Sequence, residues 1–277
     1  MQLRDQHVLI TGGSSGIGLA LARQAATAGA RVSIVARDPK KLAAARDEVR
    51  RAGPAAPEVV TVPADVAIEA EILAALAAAE RVHGPIDVLI TSAGIARPGY
   101  FEETPVEVFE RTMAVNYFGT LYPLKAVVPA MRRRGRGAVV LISSGAGLCG
   151  FFGYTPYSPS KFALRGLAEA LRAEMKGTGV HVMIVYPPDT DTPQLVEESL
   201  TKPIETKAIT ASGGLWTADA IARVTLEGLA HGRFAVTPGF QLTALAWLHS
   251  IIAPVLRWHF DRVAASARRR AGGAAGK

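Results

Sequence analysis

The chain has 277 residues, of which 49% are hydrophobic and 20% charged, and this composition excludes wholesale disorder and collagen-like sequence. The net charge of +7 comes from two clusters, residues 132–136 and 257–277, so it does not indicate a basic nucleic-acid-binding face. A single cysteine, Cys149, excludes an internal disulfide and a cysteine-built metal site. We therefore expect a cytoplasmic globular protein that binds neither metal nor nucleic acid.

Short apolar runs alternate along the chain with Ala-rich amphipathic stretches. The runs predict strands at residues 7–10, 32–36, 59–63, 86–91, 138–143 and 180–186. The stretches between them predict helices at 17–28, 40–51, 69–82, 106–131 and 160–176. This alternation indicates an α/β fold, a Rossmann-type doubly wound parallel sheet covered by helices on both faces. We expect one domain over 1–237, and an apolar helical extension with a basic tail over 238–277.

The first predicted strand runs directly into a glycine-rich loop, and a predicted helix follows. Glycine permits a tight turn and lets backbone N–H groups approach a pyrophosphate at the helix N-terminus. The position of the loop between a strand and a helix therefore predicts a dinucleotide site. The expected loop contacts are Gly12, Ser14, Ser15, Gly16, Ile17 and Gly18.

The end of the second predicted strand discriminates between the two nicotinamide dinucleotides. Proteins that bind NAD place a carboxylate there for the ribose hydroxyls. Asp38 has the right spacing, but it precedes Pro39 at a predicted helix start, where an aspartate is typical of an N-cap. Arg37 at the strand end and Lys41 one turn further favour a 2′-phosphate. The sequence thus predicts NADPH as the cofactor.

A second group of polar residues, near the middle of the chain, indicates a catalytic site. Tyr157 and Lys161 are four residues apart and would share one face of a helix. Ser144 precedes them at the carboxyl end of the fifth predicted strand, where open α/β sheets bind ligands. With the glycine-rich loop, this spacing and Asn116, residues 5–237 resemble the short-chain dehydrogenase/reductase family.

The resemblance implies an oxidoreductase whose catalytic residues are Asn116, Ser144, Tyr157 and Lys161. Tyr157 would protonate a carbonyl oxygen, and Lys161 would lower the pKa of Tyr157 and hold the nicotinamide ribose. Ser144 would hydrogen-bond the substrate oxygen, and Asn116 would hold a water that relays protons to Lys161. The implied cofactor contacts beyond the loop are Asp65 at the adenine edge, Val66, Ala93, Gly94, Pro187, Thr190 and Thr192, together with Tyr157 and Lys161.

Three positions depart from the usual pattern of the family. Ser92 stands where an asparagine is usual, Pro188 replaces a glycine, and Pro159 lies inside the predicted catalytic helix. A proline is compatible with a helix only in its first turn. The geometry around Tyr157 therefore depends on where that helix begins.

The segment after the sixth predicted strand narrows the substrate. Residues 186–193 read Tyr-Pro-Pro-Asp-Thr-Asp-Thr-Pro, and with residues 150–154 they resemble the branch of the family that reduces 3-keto sphingoid bases. This resemblance implies the NADPH-dependent reduction of 3-ketosphinganine (3-ketodihydrosphingosine), a long-chain lipid ketone, to dihydrosphingosine in sphingolipid biosynthesis. We call residues 187–214 the lid, because we expect them to cover the substrate.

The lid carries an excess of negative charge. Residues 187–206 have a net charge of −4 in a chain of +7. This bias suits a substrate with an ammonium group beside its ketone, and we expect Asp191, Glu197 or Glu198 to pair with that amine. The alternative is a solvated acidic surface. Tyr154 is a further expected substrate contact.

The C-terminal extension contains 17 successive residues, 240–256, without a formal charge. That length is short for a bilayer span, whereas Trp247 and Trp258 with the arginines after them are typical of an interfacial helix. We expect peripheral contact through residues 240–270 with the cytosolic face of a membrane. A subunit-interface helix would use the same leucines. A homo-oligomer, a dimer or tetramer with its seam at 106–131 and 160–176, is also expected.

Other functions fit parts of the same pattern. A 3-oxoacyl thioester reductase would use the arginine cluster at 132–136 to receive an acidic carrier protein, and a steroid or retinoid ketone reductase would share the apolar extension. A non-catalytic NADPH-binding sensor on this fold is a third alternative, but it would not require the four catalytic residues together. Fold alone does not choose among substrates.

Overall fold

The computed structural model describes residues 2–53, 58–211 and 214–275. Residues 212–213 of the predicted lid and 276–277 of the predicted extension lie outside the described residues, as do residues 1 and 54–57 of the predicted domain. Nine strands are described: β1 (His7–Thr11), β2 (Arg31–Ala36), β3 (Val60–Pro63), β4 (Val88–Thr91), β5 (Gly137–Ile142), β6 (Val180–Val185), β7 (Thr190–Asp191), β8 (Trp216–Thr217) and β9 (Ala235–Val236).

Ten α-helices connect or follow these strands in the described chain. They are α1 (Gly16–Thr27), α2 (Pro39–Ala52), α3 (Glu69–His83), α4 (Val106–Met113), α5 (Gly119–Arg134), α6 (Tyr157–Met175), α7 (Pro193–Thr201), α8 (Ile204–Thr210), α9 (Ala218–Ala230) and α10 (Phe240–Ala275). The helix α10 contains one non-helical residue, Leu248, at which its direction changes.

Seven strands form one parallel sheet in the order β3-β2-β1-β4-β5-β6-β9. Both of its faces are buried, as is usual for a parallel sheet. Along β1, Leu9 points into one core, while Val8 and Ile10 point into the other. This explains why the strands are continuous apolar runs, and it confirms the predicted doubly wound α/β fold.

The strand order reverses beside β1, which lies between β2 and β4. Loops that leave neighbouring strands in opposite directions open a crevice at the carboxyl ends of those strands, and ligands bind there in open α/β sheets. The glycine-rich loop follows β1, Ser144 follows β5, and the lid follows β6. The topology therefore brings three predicted site segments to one edge of the sheet.

The predicted helix over 106–131 is two helices in the structure. A π-helical turn, Ala114–Phe118, separates α4 from α5 and carries Asn116. The catalytic helix α6 begins at Tyr157 rather than at residue 160, so Pro159 falls in its first turn, where its missing N–H costs no hydrogen bond.

The lid contains two short helices, α7 and α8, and its base is held by β7, which pairs in parallel with β8. After the lid, α9 and the two-residue strand β9 complete the main sheet before α10 begins. The predicted elements did not include α7, α8, α9 or β9. None of the helices in the described part of the chain combines the length and the apolar character needed to cross a membrane.

Candidate active site

A cavity of about 720 Å³ opens at the carboxyl edge of the sheet. One end is bounded by the glycine-rich loop and the end of β2, and the other by the lid and α10. Ser144, Tyr157 and Lys161 line the region between the two ends. The cavity thus joins the predicted cofactor site to an apolar compartment through the predicted catalytic residues.

The glycine-rich loop is shaped by close backbone contacts. Gly12 has a φ of +69°, and a Cβ there would lie 2.7 Å from the Ala93 backbone. A Cβ on Gly18 would collide with the carbonyl oxygen of Gly12. These glycines let α1 start directly against the loop, where its first N–H groups can receive a phosphate. The other predicted loop contacts, Ser14, Ser15, Gly16 and Ile17, also line the cavity.

The end of β2 places two cations beside this loop. Arg37 and Lys41 are exposed and line the cavity. Asp38 caps α2, because its carboxylate accepts hydrogen bonds from the Lys40 and Lys41 N–H groups at 2.8 and 3.2 Å. The capping role predicted for Asp38 is therefore confirmed: one of its carboxylate oxygens is engaged by the helix, while the residue also lines the cavity.

Asp65 lies past the end of β3, with Val66, Ala93 and Gly94 beside it in the cavity wall. Its carboxylate accepts hydrogen bonds from Arg111 at 2.6 Å and from the Ala67 N–H at 3.0 Å. Burial acts to raise the pKa of Asp65, but these donors outweigh burial and hold the pKa below its usual value. Asp65 is therefore an anchored carboxylate at the edge of the cofactor end.

Tyr157 and Lys161 lie one turn apart on α6, and both side chains are buried. The Lys161 ammonium lies 5.5 Å from the centre of the Tyr157 ring and donates to the Ile142 carbonyl at 3.1 Å. Ser143 donates to the Lys161 carbonyl at 3.1 Å, which fixes α6 against β5. Ser144 lies near enough to the Tyr157 hydroxyl to lower the pKa of Tyr157. The three predicted groups are therefore assembled around one point of the cavity.

Burial determines the protonation states of Tyr157 and Lys161. Burial raises the pKa of Tyr157 above its usual value, as does the Glu198 carboxylate, while hydrogen bonds from Ser144 and Gln194 oppose the shift. The lowering of the Tyr157 pKa by Lys161 that the resemblance implies stays a prediction. Burial lowers the pKa of Lys161 to about 8, against an opposing pull from Glu198. Tyr157 is held as a proton donor near neutral pH.

Asn116 is fully buried in the π-helical turn. Its side-chain oxygen accepts from the Ile95 N–H at 2.9 Å, and its amide nitrogen donates to the Ile95 carbonyl at 3.0 Å and to Ser160 at 2.9 Å. The side chain therefore ties the segment after β4 to the first turn of α6. The water-holding role implied for Asn116 stays a prediction.

The start of the lid packs over the glycine-rich loop. Thr192 accepts from the Leu195 N–H at 3.3 Å and so caps α7, and it donates to the Thr190 carbonyl at 3.2 Å. Its methyl group lies against Gly16. Thr190, Thr192 and Pro187 all line the cavity. The predicted lid contacts are therefore placed beside the helix N-terminus that would hold the cofactor phosphates.

The four predicted substrate residues differ in their position relative to the cavity. Tyr154 donates a 2.8 Å hydrogen bond to Glu198, and both side chains are buried in the cavity wall. Glu197 also borders the cavity but is exposed. Asp191 is exposed on β7 and does not line the cavity.

Sequence reasoning missed three residues of this region. Gln194 donates to Glu198 at 2.8 Å and acts to lower the pKa of Tyr157. Lys202 is buried, with its ammonium 3.7 Å from the carboxylate of Asp189. A neutral amide such as Gln194 carries no charge signal, whereas Lys202 and Asp189 were visible in the lid charge count without indicating a site.

The helix α10 forms the apolar wall of the cavity. Its inward-facing side chains include Leu242, Leu245, Ile252, Leu256 and Phe260. The Phe260 ring lies 5.4 Å from the ring of Phe151, which belongs to the segment before α6. The predicted C-terminal extension therefore contributes to the site itself.

The parallel sheet, the glycine cradle and the buried Tyr–Lys pair together define a nicotinamide-dependent oxidoreductase that acts on a ketone or hydroxyl group. The family described as short chain dehydrogenase matches residues 6–203. This match covers most of the chain, and the chain belongs to the short-chain dehydrogenase family.

Several curated proteins are similar to this chain over most of its length. A 3-dehydrosphinganine reductase of Danio rerio is 42% identical over 250 residues, covering 88% of this chain and 75% of that protein. A 3-ketodihydrosphingosine reductase of Bos taurus is 40% identical, covering 92% of this chain and 77% of that protein. Among solved structures, levodione reductase matches with a TM-score of 0.80 and 28% identity, covering 87% of this chain and 99% of that chain.

Proposed function

We propose that this protein reduces the 3-ketone of 3-ketosphinganine to the hydroxyl of dihydrosphingosine, with NADPH as cofactor. The observation that carries the proposal is the position of Tyr157 and Ser144 between a dinucleotide cradle and an apolar compartment built by α10. A long-chain ketone needs this arrangement, because its polar end must reach the proton donor while its alkyl chain stays away from water. The names of the curated relatives support the same substrate.

The residues divide the chemistry between them. The nicotinamide, when bound, supplies the hydride that reduces the ketone carbon. Tyr157 holds the proton for the ketone oxygen, and Ser144 is placed to give that oxygen a second hydrogen bond. As Tyr157 gives up its proton, the Lys161 ammonium faces the tyrosinate and stabilises its charge. Burial of this pair excludes water that would weaken the interaction.

The choice of NADPH rests on Arg37 and Lys41. Both border the end of the cavity that holds the glycine-rich loop, and the carboxylate of Asp38 is engaged in capping α2. A 2′-phosphate would gain two cations there, whereas the carboxylate that could accept a ribose hydroxyl, Asp38, already has one oxygen engaged in the helix cap. The cradle, Asp65, Val66, Ala93, Gly94, Pro187, Thr190 and Thr192 would hold the remainder of the dinucleotide.

The outer face of α10 supports a peripheral membrane contact at the cytosolic face. Trp247, Ile251 and Val255 recur every four residues and are 83%, 72% and 64% exposed. Arg262 stacks over Trp258 at 4.3 Å, which places a cation beside an aromatic ring as at a lipid interface. Since the opposite face of α10 lines the cavity, a lipid could pass from the membrane into the site beside this helix.

We also propose that residues 1–237 form the catalytic domain and that 238–277 form the membrane-facing extension. The helix α10 packs against α8 of the lid, so the extension would also complete the substrate compartment. A homo-oligomer with its seam at α4, α5 and α6 remains part of the proposal. An oligomer that buries Trp247 instead would assign the outer face of α10 to a partner subunit.

The test is NADPH oxidation by the purified protein in mixed micelles with three ketones of different classes. We expect turnover of 3-ketosphinganine to exceed that of a 3-oxoacyl thioester and of a steroid ketone by at least tenfold in kcat/KM. Turnover of the thioester without turnover of 3-ketosphinganine would overturn the proposed substrate, make a carrier-protein ketone the substrate, and leave the role of Tyr157 unchanged. Absence of turnover with all three would favour a binding protein.

A further inference from the structure

One carboxylate of the lid is buried in the cavity beside the proton donor. Glu198, on α7, is 7% exposed, whereas its neighbour Glu197 is exposed. Tyr154 donates to one oxygen of Glu198 at 2.8 Å, and Gln194 donates to the other at 2.8 Å. A buried carboxylate needs such donors, and both of these leave its negative charge in place.

Two carboxylates share one ammonium group in this part of the lid. The Lys202 ammonium lies 3.9 Å from Glu198 and 3.7 Å from Asp189, and the Asp189 side chain is 35% exposed whereas Glu198 is buried. The Lys161 ammonium also acts on Glu198 from the catalytic end of the cavity. The ion pair of the buried Glu198 carboxylate is thus long and shared, and an ammonium group on a ligand would give this carboxylate a closer partner.

Gln194 shows where that charge would lie relative to the reacting centre. Its amide nitrogen donates to Glu198 at 2.8 Å, and the same side chain is near enough to the Tyr157 hydroxyl to lower the pKa of Tyr157. The Gln194 amide therefore lies between the carboxylate and the proton donor. An amine on the carbon next to a ketone has the same relation to its own carbonyl oxygen.

From this geometry we propose that Glu198 is the specificity-determining residue that binds the ammonium group next to the substrate ketone. The inference rests on the proposed function and selects one of the three acidic candidates, since Glu197 is exposed and Asp191 lies outside the cavity wall. Lys202 and Tyr154 are positioning residues that hold the carboxylate. The Gln194 amide would yield its place between Glu198 and Tyr157 to the amine.

The experiment compares Glu198→Gln with the matched control Glu197→Gln, one residue earlier on the same helix. Each variant is assayed in mixed micelles with 3-ketosphinganine and with the ketone of equal length that carries hydrogen in place of the amino group. We expect Glu198→Gln to lower kcat/KM for the amino ketone about 10- to 100-fold, the range for a lost charge-assisted hydrogen bond. At about pH 6.5, well below the Lys161 pKa of about 8, its kcat/KM for the deaminated ketone should change less than threefold, and Glu197→Gln should alter neither value.

The wild-type protein supplies a second measurement that does not depend on the folding of a variant. Dihydrosphingosine should inhibit reduction of the deaminated ketone at least tenfold more strongly than the deaminated alcohol of equal length. Equal inhibition by the two would overturn the inference, because no charge would then be recognised.

The outcomes separate the inference from the proposed function. Equal losses on both ketones in Glu198→Gln would overturn the inference and assign Glu198 to the support of Tyr157. Unchanged kinetics in that variant would also overturn the inference and leave the proposed function intact. If the wild-type protein turned over neither ketone, the proposed function would fail and the inference with it.

Discussion

Arg268, near the end of α10, donates a 2.6 Å hydrogen bond to Glu205 in α8 of the lid. The Glu205 side chain is 2% exposed, and it also accepts from the Tyr100 hydroxyl at 3.0 Å. Arg268 in addition lies 5.3 Å from the centre of the Phe152 ring. The C-terminal helix is thus fastened to the lid by this ion pair.

Replacing Arg268 should weaken the binding of long-chain substrates. In Arg268→Ala the contact between α10 and α8 loses its charged partner, so the apolar wall is held less firmly. We expect KM for a long-chain ketone to rise about two- to fivefold, because an ion pair whose arginine is exposed contributes less than a buried one. The kcat for a short, water-soluble ketone should stay unchanged. Arg269→Ala, the exposed neighbour, is the control, and equal effects of the two variants would contradict this role.

The cofactor preference should depend on Arg37 and Lys41. The double variant Arg37→Ala/Lys41→Ala removes both cations from the end of β2, so KM for NADPH should rise at least tenfold. KM for NADH should change less than twofold, because NADH has no 2′-phosphate. Lys40→Ala, which removes a cation outside the cavity wall, serves as the control. An equal loss with both dinucleotides would place the 2′-phosphate elsewhere.

The strands and the Tyr157–Lys161 pair could be predicted because their signals are local. A strand buried on both faces is a continuous apolar run, and two groups four residues apart on a helix share one face. The π-helical turn at Asn116 could not be predicted, because the apolar periodicity of the segment matches a continuous helix. The Asn116 side chain instead forms hydrogen bonds with Ile95 and Ser160. These partners are 21 and 44 residues away along the chain.

The apolar helix α10 shows a different limit of sequence analysis. Its composition indicates a surface-seeking helix, but both of its faces are apolar, and the pattern does not distinguish the face with Leu245 from the face with Ile251. Only packing against Phe151 and the lid assigns one face to the cavity. The burial of Glu198 could not be predicted for the same reason. In the sequence it is one of five acidic residues within 187–206, and only packing buries it in the cavity wall.

The alkaline limit of activity should belong to Lys161. Its pKa of about 8 lies below the usual lysine value because of burial, so its ammonium is lost as pH rises through 8 and the tyrosinate loses its stabilising charge. Glu198 raises this pKa, and Glu198→Gln should therefore move the limit to lower pH. The measurement is kcat/KM for the deaminated ketone from pH 6 to 10. A limit that moved to higher pH in this variant, or that moved equally in Glu197→Gln, would contradict the assignment.

Membrane contact should depend on the outer face of α10. Ile251→Glu places a charge in the middle of the exposed apolar face, and flotation with anionic phosphatidylserine vesicles should fall at least fivefold. The control is Val82→Glu, at a residue that is also exposed, by 50%, but lies on α3, outside the proposed seam. Because the inner face of α10 is not altered, kcat for a short ketone should persist. Flotation equal to that of the wild-type protein would assign this face to another partner.

The central claim is that Tyr157 and its neighbours direct a hydride to the ketone carbon of a sphingoid base. It is tested most directly by mass spectrometry of the product formed from 3-ketosphinganine with NADPH that carries deuterium in place of its transferable hydrogen. We expect dihydrosphingosine with one deuterium at the hydroxyl-bearing carbon, and a rate at least 100-fold lower in Tyr157→Phe, since that variant lacks the proton donor. Tyr186→Phe, at a buried tyrosine outside the cavity wall, should keep the label and most of the rate. Unlabelled product, no product, or an undiminished rate in Tyr157→Phe would contradict the account.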